Sequence, residues 1–278
     1  MANEHYGKLS EIWKHGVLAE LLDVQRPTRY AESHAGSASY PLIRSHERAY
    51  GILRFMHVKD AYRSLAGSAL GRVLDGEAGE GAPARCPGSP TVAMSLLGDT
   101  ATYAFFDTDP QSVASIRTVA GELLNHAVLR AEQQDGCRGA LDFFSSDPSG
   151  CAHIDPFDPF EATDGPSAIE LASLLTAGGT TVAYWYGYES EADRFWAMKE
   201  IAGGAPRVVW AGDVLYAEPE TDSGIVGCGV VLTNAPHEVI ARIERFGGSL
   251  ASAYTNAPLP SGATGSIAVA YRSGGTSA

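Results

Sequence analysis

Acidic residues directly follow three of the short apolar segments that predict β-strands in this chain of 278 residues. The positions are Asp107, the pair Asp135 and Gly136, and Asp155. In an open α/β sheet the carboxyl ends of parallel strands meet at one edge, where ligands bind. A carboxylate there can accept hydrogen bonds from the ribose hydroxyls of a nucleoside, and a polar group at the next strand end can read the base. Each acid alone could instead cap a helix, so it is their order along the chain that points to a nucleotide-type cofactor.

Short motifs of several other enzyme classes are missing from the sequence. There is no G-x-G-x-x-G after a predicted strand, no P-loop, no H-E-x-x-H and no G-x-S-x-G. The four cysteines are far apart and form no C-x-x-C pair, which argues against a zinc site and for a reducing compartment. We therefore expect no metal and a cytoplasmic location.

The composition indicates a packed protein with a strongly negative surface. Hydrophobic residues make up 45% of the chain and charged residues 19%, which favours a buried core over disorder. The 20 basic and 33 acidic residues give a formal net charge of −13, and a surface of that sign repels phosphate backbones. No apolar run is long enough for a membrane span, and residues 1–16 lack the apolar core of a signal peptide. We expect a small-molecule substrate rather than a nucleic acid or a membrane.

Strand and helix patterns alternate along most of the chain. This order predicts an α/β fold with a mostly parallel sheet, helices on both faces and a late antiparallel portion. We expect one domain over residues 1–278, with 41–86 as a helical insertion that ends in a loop rich in Gly, Pro and Ala. Predicted helices cover 9–22, 44–57, 58–74, 91–97, 111–124, 168–175, 191–201 and 237–246. Predicted strands cover 102–106, 127–130, 151–154, 180–186, 207–215, 226–232 and 266–271, with a further short strand beginning at residue 29.

Several short motifs, taken in order, resemble the bacterial 23S ribosomal RNA adenine-N6 methyltransferases of the competence-linked J family. The motifs are His5, Gly7 and Lys14-His15; Glu32-Ser-His-Ala-Gly-Ser-Ala-Ser39; Pro87-Gly-Ser-Pro90; Asp107; Asp135-Gly136; Asp155-Pro156; and Ala183-Tyr-Trp-Tyr186. The family has Asp-Thr-His-Ala-Gly-Ala-Gly, Pro-Gly-Ser-Pro, a ribose-binding glutamate, Asp-Gly, Asp-Pro-Pro-Tyr and Ala-Leu-Trp-Tyr at these places. Each motif alone is weak, and the resemblance depends on the motifs occurring in the same order in this chain and in the family.

The resemblance implies a Rossmann-like class I methyltransferase fold and S-adenosylmethionine as cofactor. The cofactor-binding residues that it implies are His15, His34, Gly36, Ser89, Asp107, Asp135, Gly136 and Asp155. A pocket for the substrate and the sulfonium would be lined by Tyr6, Lys14, Phe157, Trp185 and Tyr186. Catalysis is expected at Asp155 and Asp158.

The chain departs from the family at the residues that hold the target base. The family motif Asp-Pro-Pro-Tyr reads Asp155-Pro156-Phe157-Asp158, so a carboxylate stands where an aromatic ring would stack on the base. Lys8 and Leu9 replace a polar Asn and His near the amino terminus. Together with the negative charge, these changes favour a relative that has kept the cofactor and lost RNA.

Two small-molecule reactions fit this interpretation. Either a methyl group passes to a small amine-type acceptor, or S-adenosylmethionine is itself cyclised to azetidine-2-carboxylate and methylthioadenosine. Both need proximity and a deprotonated amine. A 23S ribosomal RNA adenine-N6 methyltransferase and a non-catalytic S-adenosylmethionine-binding protein are the alternatives.

Overall fold

The computed structural model describes residues 6–78, 84–158, 164–190, 192–194, 208–215, 225–255 and 268–273. Its strands are β1 (Arg29–Glu32), β2 (Ser39–Pro41), β3 (Arg85–Pro87), β4 (Thr102–Asp107), β5 (Leu129–Gln133), β6 (Cys151–Ile154), β7 (Thr181–Tyr188), β8 (Val208–Leu215), β9 (Gly227–Thr233) and β10 (Ala268–Ser273). Strands β2 and β3 form a separate ribbon, and the others form one sheet in the order β10-β8-β9-β7-β6-β1-β4-β5.

The sheet is parallel through its centre and antiparallel at one end. Strands β5, β4, β1, β6 and β7 pair in parallel. Strand β9 runs antiparallel between β7 and β8, and β10 is antiparallel to β8. A strand inserted antiparallel near the end of a doubly wound parallel sheet is the arrangement of the class I methyltransferase fold. The predicted fold class is confirmed.

Helices cover both faces of this sheet. They are α1 (Leu9–Gln25), α2 (His46–Tyr50), α3 (Ile52–Val58), α4 (Arg63–Ala66), α5 (Ala69–Ala78), α6 (Ser89–Leu97), α7 (Pro110–Leu123), α8 (Gly136–Phe144), α9 (Ala168–Gly178) and α10 (His237–Thr255). Helices α1, α6, α7 and α10 share one apolar core with the sheet, while α8 and α9 share another on the opposite face. Burying both faces requires continuous apolar strands, and the central strands have them.

Helix α1 lies in the interior, because it packs on the sheet on one side and on α6 and α10 on the other. A Cβ atom at Gly16 would lie 2.2 Å from Cε1 of Phe246 on α10, so the two helices approach more closely than a side chain allows. The polar residues Lys14, His15 and Glu20 of α1 are buried along with its apolar ones. Buried polar groups need hydrogen-bond or charge partners, and α1 therefore imposes those partners on its neighbours.

Between residues 41 and 86 the described helices lie within 46–78, while residues 41, 85 and 86 belong to β2 and β3. The two helices predicted at 44–57 and 58–74 are each broken. Gly51 separates α2 from α3, where a Cβ atom would lie 2.1 Å from the carbonyl oxygen of Gly7. A 3₁₀ turn and two loops divide the second predicted helix. The insertion is held to α1 by the backbone N–H of Ala69, which donates to Oε1 of Glu20 (2.8 Å).

Helix α8 was not predicted from the sequence. The helix predicted at 191–201 lies mostly outside the described residues. Asp135-Gly136 reads as a turn, yet Asp135 caps a helix whose apolar residues pack on the second core. Residues 192–194 are helical, and 191 and 195–201 lie outside the described residues.

Gly136 tests the contact between α8 and the loop after β1. A Cβ atom there would lie 1.4 Å from the carbonyl oxygen of Ser33, in the loop after β1. We expect Gly136→Ala to lower the free energy of unfolding by about 3 kcal/mol, since backbone must move to admit the methyl group. Urea titration measures the change.

The matched control is Gly121→Ala in α7, where nothing lies within 4 Å of the added atom. It should raise stability by roughly 0.5–1 kcal/mol through helix propensity. If the two substitutions changed the free energy of unfolding equally, α8 would not be in close contact with the loop after β1.

Candidate functional site

The loop after β1, residues 33–38, lies where the strand order of the sheet reverses. Strand β1 pairs with β4 on one side and with β6 on the other, and ligands of open α/β sheets bind in the crevice at such a point. The backbone N–H of Ser33 donates to the carbonyl of His153 on β6 (3.2 Å), and that of Ala35 donates to Phe106 on β4 (3.0 Å). The loop is thus fixed between both neighbouring strands.

Asp107 at the end of β4 is joined directly to this loop. Gly36 has a positive φ of 60°, a conformation that favours glycine, and its backbone N–H donates to Oδ2 of Asp107 (2.7 Å). The backbone N–H of Asp109 donates to Oδ1 (2.8 Å). A carboxylate oxygen has two lone pairs, so Asp107 can still accept hydrogen bonds from a ligand's hydroxyl groups.

Asp135 and Gly136 at the end of β5 also reach the loop. Oδ1 of Asp135 accepts from the backbone N–H of Arg138 (2.7 Å) and caps α8. Gly136 packs on Ser33. Asp109 similarly caps α7. Asp135 and Asp109 are therefore helix caps, which was the other interpretation of acids at strand ends. Asp107 and Asp155 cap no helix among the described residues.

Helix α1 places an ammonium group at the end of β6. Nζ of Lys14 lies 2.5 Å from Oδ2 of Asp155 and 2.6 Å from Oε1 of Glu11. It also lies 5.4 Å from the centre of the Trp185 ring. Glu11 and Lys14 share a helix face because they are three residues apart, and the register of β6 with β7 places Asp155 beside Trp185. We call Glu11, Lys14 and Asp155 the Lys14 cluster.

The charges of the Lys14 cluster depend on one another. Burial alone lowers the pKa of Lys14, but the two carboxylates raise it above its usual value. Burial alone raises the pKa of Asp155, but the Lys14 ammonium, with smaller contributions from neighbouring histidines, holds it below its usual value. For Glu11 burial prevails, and its pKa is raised. Lys14 and Asp155 therefore form an ionised pair.

The second oxygen of Asp155, Oδ1, accepts no hydrogen bond from the described residues, and 19% of the side chain is exposed. This is the most accessible carboxylate of the Lys14 cluster, since the side chains of Lys14 and Glu11 are 7% and 15% exposed. A ligand can reach Asp155 from the carboxyl edge of the sheet.

Two neutral histidines lie beside the Lys14 cluster. Burial and the charge of Lys14 lower the pKa of His15 well below its usual value. Burial lowers that of His153 to about 4. Nε2 of His15 is 3.5 Å from Oε2 of Glu11. Both rings are uncharged near neutral pH and offer hydrogen-bonding groups rather than charge.

Glu32 at the end of β1 is a buried carboxyl held by two hydroxyl groups. Tyr30 donates to Oε1 (2.8 Å) and Ser89 donates to Oε2 (2.6 Å). Burial raises the pKa of Glu32 to about 8, although these hydrogen bonds oppose the shift. Ser89 is the first residue of α6, where Gly88 is the N-cap, and its hydroxyl is committed to Glu32.

His34 and Tyr6 lie at the margin of this group. Nδ1 of His34 is 2.8 Å from Oγ of Ser33, and His34 is close enough to Asp155 to lower its pKa. The Tyr6 ring stacks on Tyr40 at 4.5 Å between ring centres, and its hydroxyl donates to the carbonyl of Pro41 (2.8 Å). Tyr6 thus supports the wall of the site near the insertion. His5, from the opening motif, lies outside the described residues.

Three predicted site residues are not brought into this group. The side chain of Phe157 is 96% exposed. Asp158 is also exposed, and beside burial, Cys137 and Asp155 it makes only a small contribution to the raised pKa of Tyr184, a residue of the second core. Tyr186 also belongs to that core, because successive residues of β7 alternate between faces and Trp185 points to the first. Its pKa is raised by burial and by Asp213 on β8.

Sequence reasoning did not single out Glu11 or His153 as site residues, and it placed Glu32 at a strand end without giving it a role. Glu11 could have been found from its spacing to Lys14 and His15, which puts all three on one helix face. His153 stands two residues before Asp155, so both lie on the same face of β6. A histidine inside an apolar strand is typical of a core residue with both ring nitrogens hydrogen-bonded, but Nε2 of His153 has no partner among the described residues.

Within the described ranges, no group of three or more His, Cys, Asp or Glu residues could hold a metal ion. The four cysteines are all buried, and none is joined in a disulfide. None of the described helices is long and apolar enough to cross a membrane.

Comparisons with known proteins support the fold. No family model matches the chain, and no curated protein matches it. A crystal structure of a Legionella pneumophila protein of the DUF519 family matches with a TM-score of 0.74 and 19% identity, over 98% of this chain and 99% of that one.

Two other solved structures match more loosely. A Clostridium thermocellum protein provisionally named an rRNA methylase has a TM-score of 0.35 and 12% identity, over 51% of this chain and 77% of that one. A Listeria monocytogenes protein provisionally named a class I S-adenosylmethionine-dependent methyltransferase has a TM-score of 0.36 and 10% identity, over 84% and 60%. The Legionella likeness concerns the fold alone, and membership of the J family stays a prediction.

The raised pKa of Glu32 predicts a pH dependence of stability. Between 4.5, the usual value, and about 8, the folded chain binds more protons at this carboxyl than the unfolded chain. The contribution of this carboxyl to the free energy of unfolding is therefore complete below pH 4.5. It falls as the pH rises from there through about 8, by at most about 1.4 kcal/mol per pH unit. We expect Glu32→Gln to gain stability relative to the wild type as the pH rises from 5 to 8.

Urea unfolding across this pH range measures the difference. Glu122→Gln removes an exposed carboxylate of α7 and controls for the loss of one acidic residue. Parallel pH profiles for Glu32→Gln and the wild type would contradict the assignment of a proton to buried Glu32.

Proposed function

We propose that this chain binds S-adenosylmethionine at the carboxyl edge of its sheet and uses Asp155 to direct an amine of a small molecule onto an electrophilic carbon of that compound. The observation that carries this proposal is the way in which the Lys14 cluster holds an ammonium. Two carboxylates and the Trp185 ring surround Nζ of Lys14, and Oδ1 of Asp155 is left for a further N–H donor. The same surroundings suit the nitrogen of a substrate.

The residues at the strand ends fit an adenosine group. Asp107 has lone pairs for ribose hydroxyls and is held by the loop after β1. Asp135 and Gly136 lie beside the same loop, where the resemblance puts the adenine. Helix α6 begins without a side-chain cap, so its first amide groups suit a carboxylate.

The electrostatics of the site fit a cationic ligand. The Lys14 ammonium is paired with the carboxylates of Asp155 and Glu11, while the raised pKa of Glu32 and the lowered pKa values of His15 and His153 keep those three groups neutral near neutral pH. A sulfonium placed there meets no unpaired positive charge from this group of residues. An aromatic face attracts such a cation by about 0.5–2 kcal/mol, and Trp185 presents its ring beside Lys14.

Asp155 acts by positioning the nitrogen. S-adenosylmethionine supplies carbon atoms made electrophilic by a positively charged sulfur. Lys14 keeps Asp155 ionised and fixes Oδ2, so Oδ1 can accept an N–H and aim the nitrogen lone pair at the carbon. Such orientation accounts for several kcal/mol of barrier, up to about 7–11 in the best cases. A carboxylate also stabilises the sulfonium before reaction, so its benefit must come from orientation.

The nitrogen can belong to either of two molecules. If it belongs to a separate amine, a methyl group is transferred and S-adenosylhomocysteine remains. If it is the amino group of S-adenosylmethionine itself, its attack on the γ-carbon gives azetidine-2-carboxylate and releases methylthioadenosine. Residues of the Lys14 cluster serve both reactions in the same way.

One observation favours a nucleobase acceptor as a second candidate. The Phe157 ring is 96% exposed directly after the Asp155-Pro156 pair, and exposed aromatic rings stack on bases. Against this stand the net charge of −13 and the carboxylate of Asp158 where the family has its ring. We therefore favour the small molecule.

Incubation of the pure protein with S-adenosylmethionine, alone or with a pool of small amines or ribosomal RNA, tests the proposal. Mass spectrometry separates methylthioadenosine from S-adenosylhomocysteine. Either compound formed without RNA supports the proposal. Formation of N6-methyladenine in RNA establishes the second candidate instead, and binding without any product indicates a non-catalytic protein.

Asp155→Asn should lower turnover at least about tenfold, equal to about 1.4 kcal/mol of barrier, while affinity for S-adenosylmethionine changes less. Asparagine keeps the size and one acceptor but loses the charge. Asp142→Asn, which removes an exposed carboxylate paired with Arg138 on α8, is the matched control and should leave turnover unchanged. Near wild-type turnover in Asp155→Asn would place catalysis elsewhere.

A further inference from the structure

His153 presents a buried hydrogen-bond acceptor that no described residue uses. Its Nδ1 lies 3.2 Å from the carbonyl oxygen of Ala183 on β7. A carbonyl can only accept, so Nδ1 must carry the ring proton and Nε2 must present a lone pair. The residue is 1% exposed, and Nε2 has no hydrogen-bond partner among the described residues. Such atoms are rare in folded proteins, because their desolvation is uncompensated.

The position of His153 puts this acceptor beside Asp155. The two residues are two apart on β6, so their side chains leave the same face of the strand. That face is covered by α1, and His153 is close enough to Lys14, His15 and Asp155 for their charges to affect one another. The hydrogen bonds from Ser33 to His153 and from His153 to Ala183 fix the residue between β1 and β7.

The spacing suits one nitrogen atom held by both residues. Alternate residues of a strand are roughly 6–7 Å apart along the backbone, and a hydrogen bond spans about 3 Å between heavy atoms. Side chains that leave the same face at this separation can converge on one nitrogen atom, which would donate to Oδ1 of Asp155 and to Nε2 of His153. The low pKa of His153 keeps the ring neutral near neutral pH, so the lone pair is always present.

We propose that Nε2 of His153 accepts a hydrogen bond from the reacting amine and that His153 and Asp155 together select a primary amine. This inference rests on the proposed function. A neutral primary amine has two N–H groups and one lone pair, so two acceptors use both N–H groups and leave the lone pair for the electrophilic carbon. A secondary amine has one N–H and satisfies only one acceptor. The site therefore favours a single alkylation of each nitrogen.

Sinefungin, an analogue of S-adenosylmethionine with an amine in place of the S-methyl group, provides a test that needs no turnover. Calorimetry establishes whether it binds, and the ¹⁵N resonance of Nε2 in protein labelled at histidine reports a hydrogen bond at that atom. His153→Asn identifies the resonance. We expect sinefungin to bind and the His153 Nε2 resonance to shift, while that of exposed His126 stays in place.

Two variants extend the test to activity. Asparagine can still donate to Ala183 but cannot reach the position of Nε2, whereas glutamine can place an oxygen there. We expect His153→Asn to lower turnover at least tenfold, His153→Gln to recover most of it, and the surface control His126→Asn to match the wild type.

The outcomes separate the two proposals. Binding of sinefungin with no shift at Nε2 overturns the role of His153 and leaves the proposed function standing, since Asp155 can position an amine without His153. No binding of sinefungin overturns the proposed function, and this inference with it. Dialkylation of one nitrogen at the rate of the first alkylation contradicts selection of a primary amine.

Discussion

The buried ion pair between Lys14 and Asp155 is the interaction on which the site depends. Helix α1 can be enclosed between the sheet and α10 only if its charged residues find partners, since an uncompensated buried charge costs several kcal/mol. The end of β6 supplies that partner, with Nζ 2.5 Å from Oδ2. The pair therefore fixes the height of α1 over the sheet and keeps Asp155 ionised in partly buried surroundings. Packing and chemistry rest on the same contact.

At its carboxyl edge the sheet has polar side chains on one face and tyrosine rings on the other. The two sets are separated because successive residues of a strand point to opposite faces. Glu32, His153, Asp155 and Trp185 point toward α1 and share the first face of the sheet. Tyr184 and Tyr186 point toward the second core. Under the proposed function, chemistry at this edge would therefore take place on the face that α1 covers. A ligand there would meet Oδ1 of Asp155, with the neutral rings of His15 and His153 behind it.

The sequence was sufficient for the fold and for the elements that surround the site. Apolar runs followed by acids located the central strands, and the order of motifs located Lys14, Asp107 and Asp155. The sequence was insufficient where the role of a residue depends on which face of the sheet its side chain occupies. It was also insufficient where the role depends on contact with backbone that is distant along the chain. Tyr186 and Trp185 are adjacent in sequence but lie on opposite sides of the sheet. The break at Gly51 depends on the carbonyl of Gly7, which no local pattern reveals.

A crystal structure of the chain with sinefungin tests the central claim most directly, because it locates the ligand's amines relative to Asp155. We expect the adenosine group beside Asp107 and an amino nitrogen within about 3.2 Å of Oδ1 of Asp155, with the Lys14–Asp155 ion pair intact. A ligand bound at the carboxyl edge with both amino groups far from Asp155, or bound elsewhere on the molecule, would contradict it.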